Sequence, residues 1–168
     1  MDPSARCVLW RSRVVRANGA FHWALLAPEE AELQEFLPVA TAPGEPYQEA
    51  WHRSIPPEDA TRMDQARTDA IDGGRGGYTA EYRSLAPEGA VRWLRDVVSI
   101  SATPEATWEA VGVRTDISAE KRARLCQEVV YEISDIAHTV SDPTDMHRGV
   151  YRSLTRLLDA PGYAVVLV

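Results

Sequence analysis

Few side chains in this 168-residue chain have the types and spacing that chemistry requires. Two cysteines lie 119 positions apart, at 7 and 126, and cannot form a local metal-ligand pair. No two of the four histidines have ligand spacing such as H-x3-H, and none is close to a cysteine in sequence. The histidines are His22, His52, His138 and His147. The sequence therefore predicts no metal site.

Carboxylates that could act in acid–base catalysis are also scarce. Glu58 and Asp59 are neighbours at a predicted helix start, where adjacent side chains do not face each other, and the helix dipole accounts for them. Asp96 and Glu109 lie in predicted strands, each on the face opposite a nearby tryptophan, and we expect both to face solvent. The pattern thus predicts no catalytic residue. A small cone-shaped enzyme, which needs a buried carboxylate, remains the less favoured alternative.

Turn and periodicity signals arrange these residues on an α+β framework. Alternating strands over 7–15 and 21–27 flank Asn18-Gly19, and further strands over 78–86, 90–102 and 107–115 follow the long helix. The predicted helices cover 28–38, 47–53 and 56–72. The order β-β-α-α-α-β-β-β predicts an antiparallel sheet with helices on one face.

Several short motifs occur along this framework in a recognisable order. They are Trp51 with Pro56-Pro57-Glu58-Asp59, Glu81-Tyr82-Arg83, Glu88-Gly89, Arg92-Trp93, Gly112 and Asp116-Ile117-Ser118. In this order and spacing the segment 6–118 resembles a PAS domain (a PAS/PAC sensory box), with Ser118 where the family usually has threonine. The resemblance implies a five-stranded antiparallel sheet in which residues 8–14 pair with 108–114. It also implies a sensory module, with no catalysis in this chain.

The resemblance further implies a route for a signal. The family's D-I-T aspartate, here Asp116, anchors the exit of the sheet to the next helix. Its expected partners are Arg92, Arg114 or an amide at the helix start. The G-x-N-C-R-F-L-Q motif of flavin photosensors is absent. Residues 57–72 hold no histidine for haem, so the cofactor stays unknown.

Five tryptophans have two interpretations that the sequence leaves open. They either pack as an aromatic core or line the pocket in which PAS domains bind small ligands. The candidate lining residues are Trp23, Phe36, Trp51, Met63, Ile71, Tyr82 and Trp93.

A heptad stripe runs along the helix predicted over 119–140. Its members are Cys126, Val129, Ile133, Ile136 and Val140. We expect this seam to pair with its copy in a parallel coiled-coil homodimer. The rival is an intrachain hairpin with a second helix over 143–159, through Leu154 and Leu157. A strand predicted over 163–168 makes 141–168 resemble the start of a GAF domain, beyond a sensory domain over 1–118.

The amino-acid composition limits the classes of partner that the chain is expected to bind. With 18 basic and 25 acidic residues the net charge is −7, which argues against nucleic-acid binding. No apolar run reaches the length of a membrane helix, and we expect a cytoplasmic location. The predicted function is a signal-transduction input module of a longer protein, whose effector resembles a two-component histidine kinase or a cyclic-dinucleotide enzyme. The alternative is a ligand-free dimerisation or protein-interaction module.

Overall fold

The computed structural model describes residues 6–140 and 142–157. The chain divides into two compact units, one ending at Ser118 and the other beginning at Ala119. The strands are β1 (Cys7–Ala17), β2 (Ala20–Ala27), β3 (Gly77–Leu85), β4 (Val91–Ala102) and β5 (Trp108–Asp116). The helices are α1 (Glu30–Phe36), α2 (Tyr47–Ser54), α3 (Pro57–Asp72), α4 (Ser118–Thr139) and α5 (Pro143–Leu154).

The five strands form one antiparallel sheet in the order β2-β1-β5-β4-β3. β1 and β5, from opposite ends of the first unit, are neighbours at its centre. Val8 lies opposite Arg114 and Val14 opposite Trp108, so the predicted pairing of 8–14 with 108–114 is confirmed. The predicted five-stranded antiparallel fold is confirmed with it.

The β1–β2 hairpin follows from its turn residues. Asn18 and Gly19 have φ angles of 53° and 79°, both in the left-handed region. A two-residue turn of this kind matches the twist of the flanking strands and favours Asn-Gly. The turn therefore brings β2 back along β1 at the edge of the sheet.

Strand alternation divides the sheet into an inner face, covered by helices α1–α3, and an outer face. In β4, Leu94, Asp96 and Val98 are buried, whereas Val97 is exposed. The prediction that Asp96 faces solvent is therefore wrong. It rested on taking the face of Trp93 as the buried one. Trp93 is only partly shielded on the outer face, where the Arg83 guanidinium lies 5.8 Å from its ring centre.

One carboxylate fastens α3 to the edge strand β3. The buried Asp59 Oδ2 accepts hydrogen bonds from the Arg83 backbone N–H (2.9 Å) and from its Nε (2.7 Å). Glu58 accepts from the same guanidinium. Hydrogen bonding by the Arg83 side chain lowers the pKa of Asp59. The two acidic residues thus do more than favour a helix start, because they hold the helix on the sheet.

In the second unit, α5 lies antiparallel to α4. Asp142 caps α5 by accepting from the Thr144 and Asp145 amides at 2.8 and 3.0 Å. Gly149 closely approaches the Ile136 side chain, and Arg156 forms ion pairs with Glu128 and Glu132. The second helix therefore folds back along α4, as in the rival arrangement, but the contacts are made by Gly149 and Arg156; the role of Leu154 and Leu157 stays a prediction.

The hairpin occupies the side of α4 that carries the predicted dimer seam. Val129 is buried, Ile133, Ile136 and Val140 are partly buried, and Cys126 is exposed. Pairing with a second copy through this seam stays a prediction. The second helix, predicted over 143–159, ends earlier, at Leu154. The strand predicted over 163–168 lies outside the described residues, and the GAF-like assignment of 141–168 stays a prediction.

Gly112 tests the packing between β1 and β5. It lies opposite Trp10, and a Cβ at this position would come within 2.4 Å of the indole ring. We expect Gly112→Ala to lower the free energy of unfolding by about 1–3 kcal/mol, measured by urea denaturation. Gly76→Ala is the control, since its Cβ meets nothing within 4 Å, and it should change stability by less than about 0.5 kcal/mol. Equal losses in the two variants would contradict this account.

Asp59 predicts how stability depends on pH. Its folded pKa is below the usual value of 3.8, so its contribution is present above that pH and is lost as the pH falls through the folded pKa. Asp59→Asn should therefore cost about 2 kcal/mol or more at neutral pH, and progressively less below about pH 4. Urea denaturation of the parent and the variant at neutral pH and below about pH 4 measures this difference in the free energy of unfolding. Glu109→Gln, at an exposed ion pair, should cost less than about 1 kcal/mol at either pH. A pH-independent loss for Asp59→Asn would refute the assignment.

Candidate functional site

A small cavity lies between the inner face of the sheet and the helices. Its volume is about 40 Å³, well below the ~300–1,000 Å³ of sites for drug-sized ligands. Its lining residues are Trp10, Ser12, Trp23, Leu25, Leu33, Tyr47, Gln48, Trp51, Arg67 and Arg114. A cavity of this size suits a molecule of a few heavy atoms.

Strand and helix periodicity bring these side chains together. Trp10 and Ser12 are two residues apart on β1, as are Trp23 and Leu25 on β2, so each pair shares the inner face. Trp10 and Trp23 meet edge to face, with ring centres 6.4 Å apart. Helices α2 and α3 close the cavity from the other side. Two adjacent strands thus supply an aromatic floor.

A buried ion pair forms the charged part of this region. Arg114 donates from Nε and NH2 to the two carboxylate oxygens of Asp96, at 2.9 and 3.0 Å, and the side chains are 7% and 1% exposed. The Tyr82 hydroxyl donates to Asp96 Oδ2 at 3.2 Å. Burial raises the pKa of Tyr82 well above 10, so the phenol keeps its proton. Asp96 is thus occupied by three donors and is not among the cavity-lining residues.

Guanidinium groups cover the aromatic faces of the cavity wall. Arg114 lies 4.1 Å from the centre of the Trp51 ring. Arg67 lies 5.1 Å from the Trp23 ring and 5.9 Å from the Trp51 ring. Arg67 also donates to the Tyr78 hydroxyl at 3.3 Å. Cations in such positions are held by the negative face of the ring.

Two indole donors in the wall lack acceptors. The Nε1 atoms of Trp10 and Trp51 are buried without a hydrogen-bond partner. Buried polar groups in proteins are nearly always paired, so each exception calls for a physical reason.

The structure separates the seven predicted pocket residues. Trp23 and Trp51 line the cavity. Phe36, Met63 and Tyr82 pack in the buried cluster that includes Trp51, and Ile71 packs in the cluster that includes Trp10. The placement of Trp93 in the pocket is wrong, because it lies on the outer face.

The sequence did not identify the polar residues of the cavity wall, which are Ser12, Gln48, Arg67 and Arg114. A signal for Arg114 was available in the strand pairing. Arg114 and Asp96 are directly opposite each other on β5 and β4, and the register that places β5 beside β4 makes them a cross-strand pair.

Asp116 connects the end of β5 to the start of α4. Its Oδ1 accepts from the Ser118 amide at 2.9 Å, which confirms the expected helix-start partner. Arg92 is a more distant neighbour, with NH1 3.8 Å from Oδ2. Arg114 is directed to Asp96 instead, so its assignment as a partner of Asp116 is wrong. The Trp93 backbone binds this corner too, donating to Ser118 Oγ at 2.9 Å and accepting from the Ile117 amide at 2.8 Å.

Two further searches cover only the described ranges, 6–140 and 142–157. No helix in them is both long and apolar enough to cross a bilayer. No group of three or more His, Cys, Asp or Glu side chains in them is placed to hold a metal ion.

The solved structures similar to this chain include the following three. An RNA-binding light-oxygen-voltage receptor is 16% identical, with a TM-score of 0.46 over 67% of this chain, which spans only 30% of that receptor. The N-terminal domain of a diguanylate cyclase with a PAS/PAC sensor from Marinobacter aquaeolei is 21% identical, with a TM-score of 0.47 over 68% of this chain and 99% of that one. A sensory box histidine kinase/response regulator from Burkholderia thailandensis is 20% identical, with a TM-score of 0.48 over 74% of this chain and 88% of that one.

No curated protein matches the chain. Residues 41–114 match the model of the PAS fold family. This match runs from the loop before α2 into β5, and it supports the PAS domain that the sequence motifs indicated.

Proposed function

We propose that this chain is a sensory input module in which the state of the cavity between sheet and helices is passed to α4. The observation that carries the proposal is the position of Arg114. It lines the cavity, and it lies on β5 two residues before Asp116, which binds the first amide of α4. A ligand that shifts Arg114 would act on the strand that leads directly into the helix.

The buried pair gives this route its sensitivity. Arg114 is held by Asp96 on β4 and stacks on Trp51 of α2, so it links two strands and a helix. A buried guanidinium that loses its partner is costly, so a change at one end favours a discrete rearrangement over a gradual one. Asp116 is then the connection through which that change reaches residues 118–139.

We place catalysis outside this chain. PAS domains are generally non-catalytic, and Asp96, a buried carboxylate bound to the lining residue Arg114, is also held by Tyr82 and is not available as a base. The effector is proposed to be a histidine kinase or cyclic-dinucleotide enzyme in a longer protein. A cytoplasmic location, a sensory domain over 1–118, a signalling helix over 119–140 and a GAF-like start over 141–168 stay predictions.

Asp116→Ala tests the route. A library of small anions, cations and neutral molecules is screened by thermal shift, and hydrogen exchange of 118–139 is measured with and without each compound that binds. In the parent protein binding should change exchange in this helix. In Asp116→Ala, which removes a cap worth about 1 kcal/mol, affinity should stay the same while the change shrinks. Glu109→Ala, an exposed carboxylate on the same strand, should respond like the parent. An unaltered response in Asp116→Ala would exclude this route.

A second candidate function, a dimerisation module, is favoured by the outer face of the sheet. Leu9, Val113 and Val97 lie in register across β1, β5 and β4 and are 63%, 39% and 53% exposed. Adjacent exposed apolar residues of this kind mark interaction surfaces more often than isolated ones do. The seam on α4 is the other proposed interface. Using it requires α5 to leave that side of the helix.

Two variants distinguish these interfaces. We expect the parent to be a homodimer at tens of micromolar by light scattering. Ile133→Asp places a charge in the α4 seam, and Leu9→Asp places one on the outer face of the sheet. Dissociation in only one variant identifies the interface that is used. A parent protein that is already monomeric at these concentrations would rule out both.

A further inference from the structure

The cavity wall offers hydrogen-bond donors and positive charge. We propose that its ligand is the carboxylate of a small organic acid. This inference rests on the sensory function proposed above and specifies the chemical class that the cavity recognises. It depends on the unpartnered indoles, on the charge of the wall and on the occupied aromatic faces.

The indoles provide the first argument. Trp10 and Trp51 are each 5% exposed, both line the cavity, and neither Nε1 has an acceptor. An indole N–H can only donate, so nothing except an acceptor satisfies it. The Tyr47 hydroxyl already donates to the Leu37 carbonyl at 3.0 Å, and Gln48 Nε2 donates to the Trp23 carbonyl at 2.9 Å. The two indoles are therefore donors of lining residues that still need an acceptor.

The charge of the wall provides the second argument. Two guanidinium groups, those of Arg67 and Arg114, are among the lining residues, and no carboxylate is. Their acidic partners lie outside the wall. Asp64, bound to Arg67 at 3.1 Å, is 56% exposed to solvent, and Asp96 is buried against Arg114. The wall itself thus presents two guanidinium groups and no carboxylate to a ligand.

The aromatic faces exclude the opposite assignment. A box of tryptophan rings ordinarily suits a cationic ligand. Here the Trp51 and Trp23 faces are already covered by Arg114 and Arg67 at 4.1 and 5.1 Å. A ligand cation would have to displace one guanidinium and approach the other. An anion meets neither obstacle.

The shape of the site favours a carboxylate over an inorganic anion. Leu25, Leu33 and Trp23 form an apolar part of the wall, which suits carbon atoms and not the fully charged surface of phosphate. A carboxylate presents two coplanar acceptors, which matches planar guanidinium donors. The volume of about 40 Å³ limits the carbon body to a short chain.

The experiment is a titration of ¹⁵N-labelled protein followed through the indole N–H signals. Sodium propanoate is the probe, and propanamide, of nearly the same shape without the charge, is its control. Propanoate should move the Trp10 and Trp51 signals downfield and saturably, and should leave the Trp93 signal, on the outer face, in place. Propanamide should bind at least about tenfold more weakly, since a charged acceptor forms the stronger hydrogen bonds.

A pair of arginine variants adds a test that leaves the buried ion pair intact. Arg67→Gln removes a lining guanidinium and should weaken propanoate binding about tenfold or more. Arg75→Gln removes the same charge at an exposed position after α3 and should leave the affinity unchanged. Equal binding by the two variants would overturn the proposal.

Further outcomes separate this inference from the proposed function. Tighter binding of inorganic phosphate than of propanoate would overturn the carboxylate assignment. The carboxylate assignment would also be overturned if a neutral or cationic library compound moved the same indole signals and short carboxylates did not. That result would leave the proposed sensory function in place. Propanoate binding without any change in exchange over 118–139 would support the ligand class and contradict the signalling route.

Discussion

The pairing of Asp96 with Arg114 is the interaction on which the interior of this domain depends. A carboxylate and a guanidinium, 1% and 7% exposed, can be buried only when each satisfies the other, because an isolated charge in the interior carries a desolvation penalty of several kcal/mol. The pair requires β4 and β5 to be neighbours in the observed register. The Tyr82 hydroxyl and the Trp51 ring then pack around it, from β3 and from α2.

This arrangement also explains why an otherwise apolar interior has a cavity with polar walls. Arg114 uses Nε and NH2 on Asp96 and its planar face on Trp51, so a polar group is held rigidly beside aromatic rings. Arg67 is held in a comparable way by Tyr78 and by two tryptophan faces. Preorganised donors of this kind need little ordering when a ligand binds. That rigidity would favour the affinity for the proposed carboxylate.

The two faces of the sheet have different roles for a physical reason. Helices cover the inner face, so its polar groups must be paired within the domain. Leu9, Val97 and Val113 on the outer face are exposed, so this face can bind another surface without rearranging the core. In the function proposed above, the inner face senses and the outer face associates, with Asp116 at the end of the central strand β5.

The sequence by itself determined the order of the strands and helices, the Asn18-Gly19 turn and the helix-start role of Asp116, and the resemblance carried by its motifs implied the pairing of β1 with β5. These depend on local chain geometry or on motifs that are contiguous in sequence. Alternation in β4 defined two faces, but it did not say which one is buried. For that reason the predicted faces of Asp96 and Trp93 are wrong, and Arg114, one of three alternative partners expected for Asp116, binds Asp96 instead.

Only the tertiary structure decided those points. Which face of a strand is buried depends on the side of the sheet that the helices cover, and the partner of a charged residue depends on which strands are neighbours. The same limit applies to α4. An apolar stripe requires burial but does not specify against what, and here Gly149 and Arg156 of the same chain lie beside it. Periodicity is a property of one segment, whereas burial is a property of two.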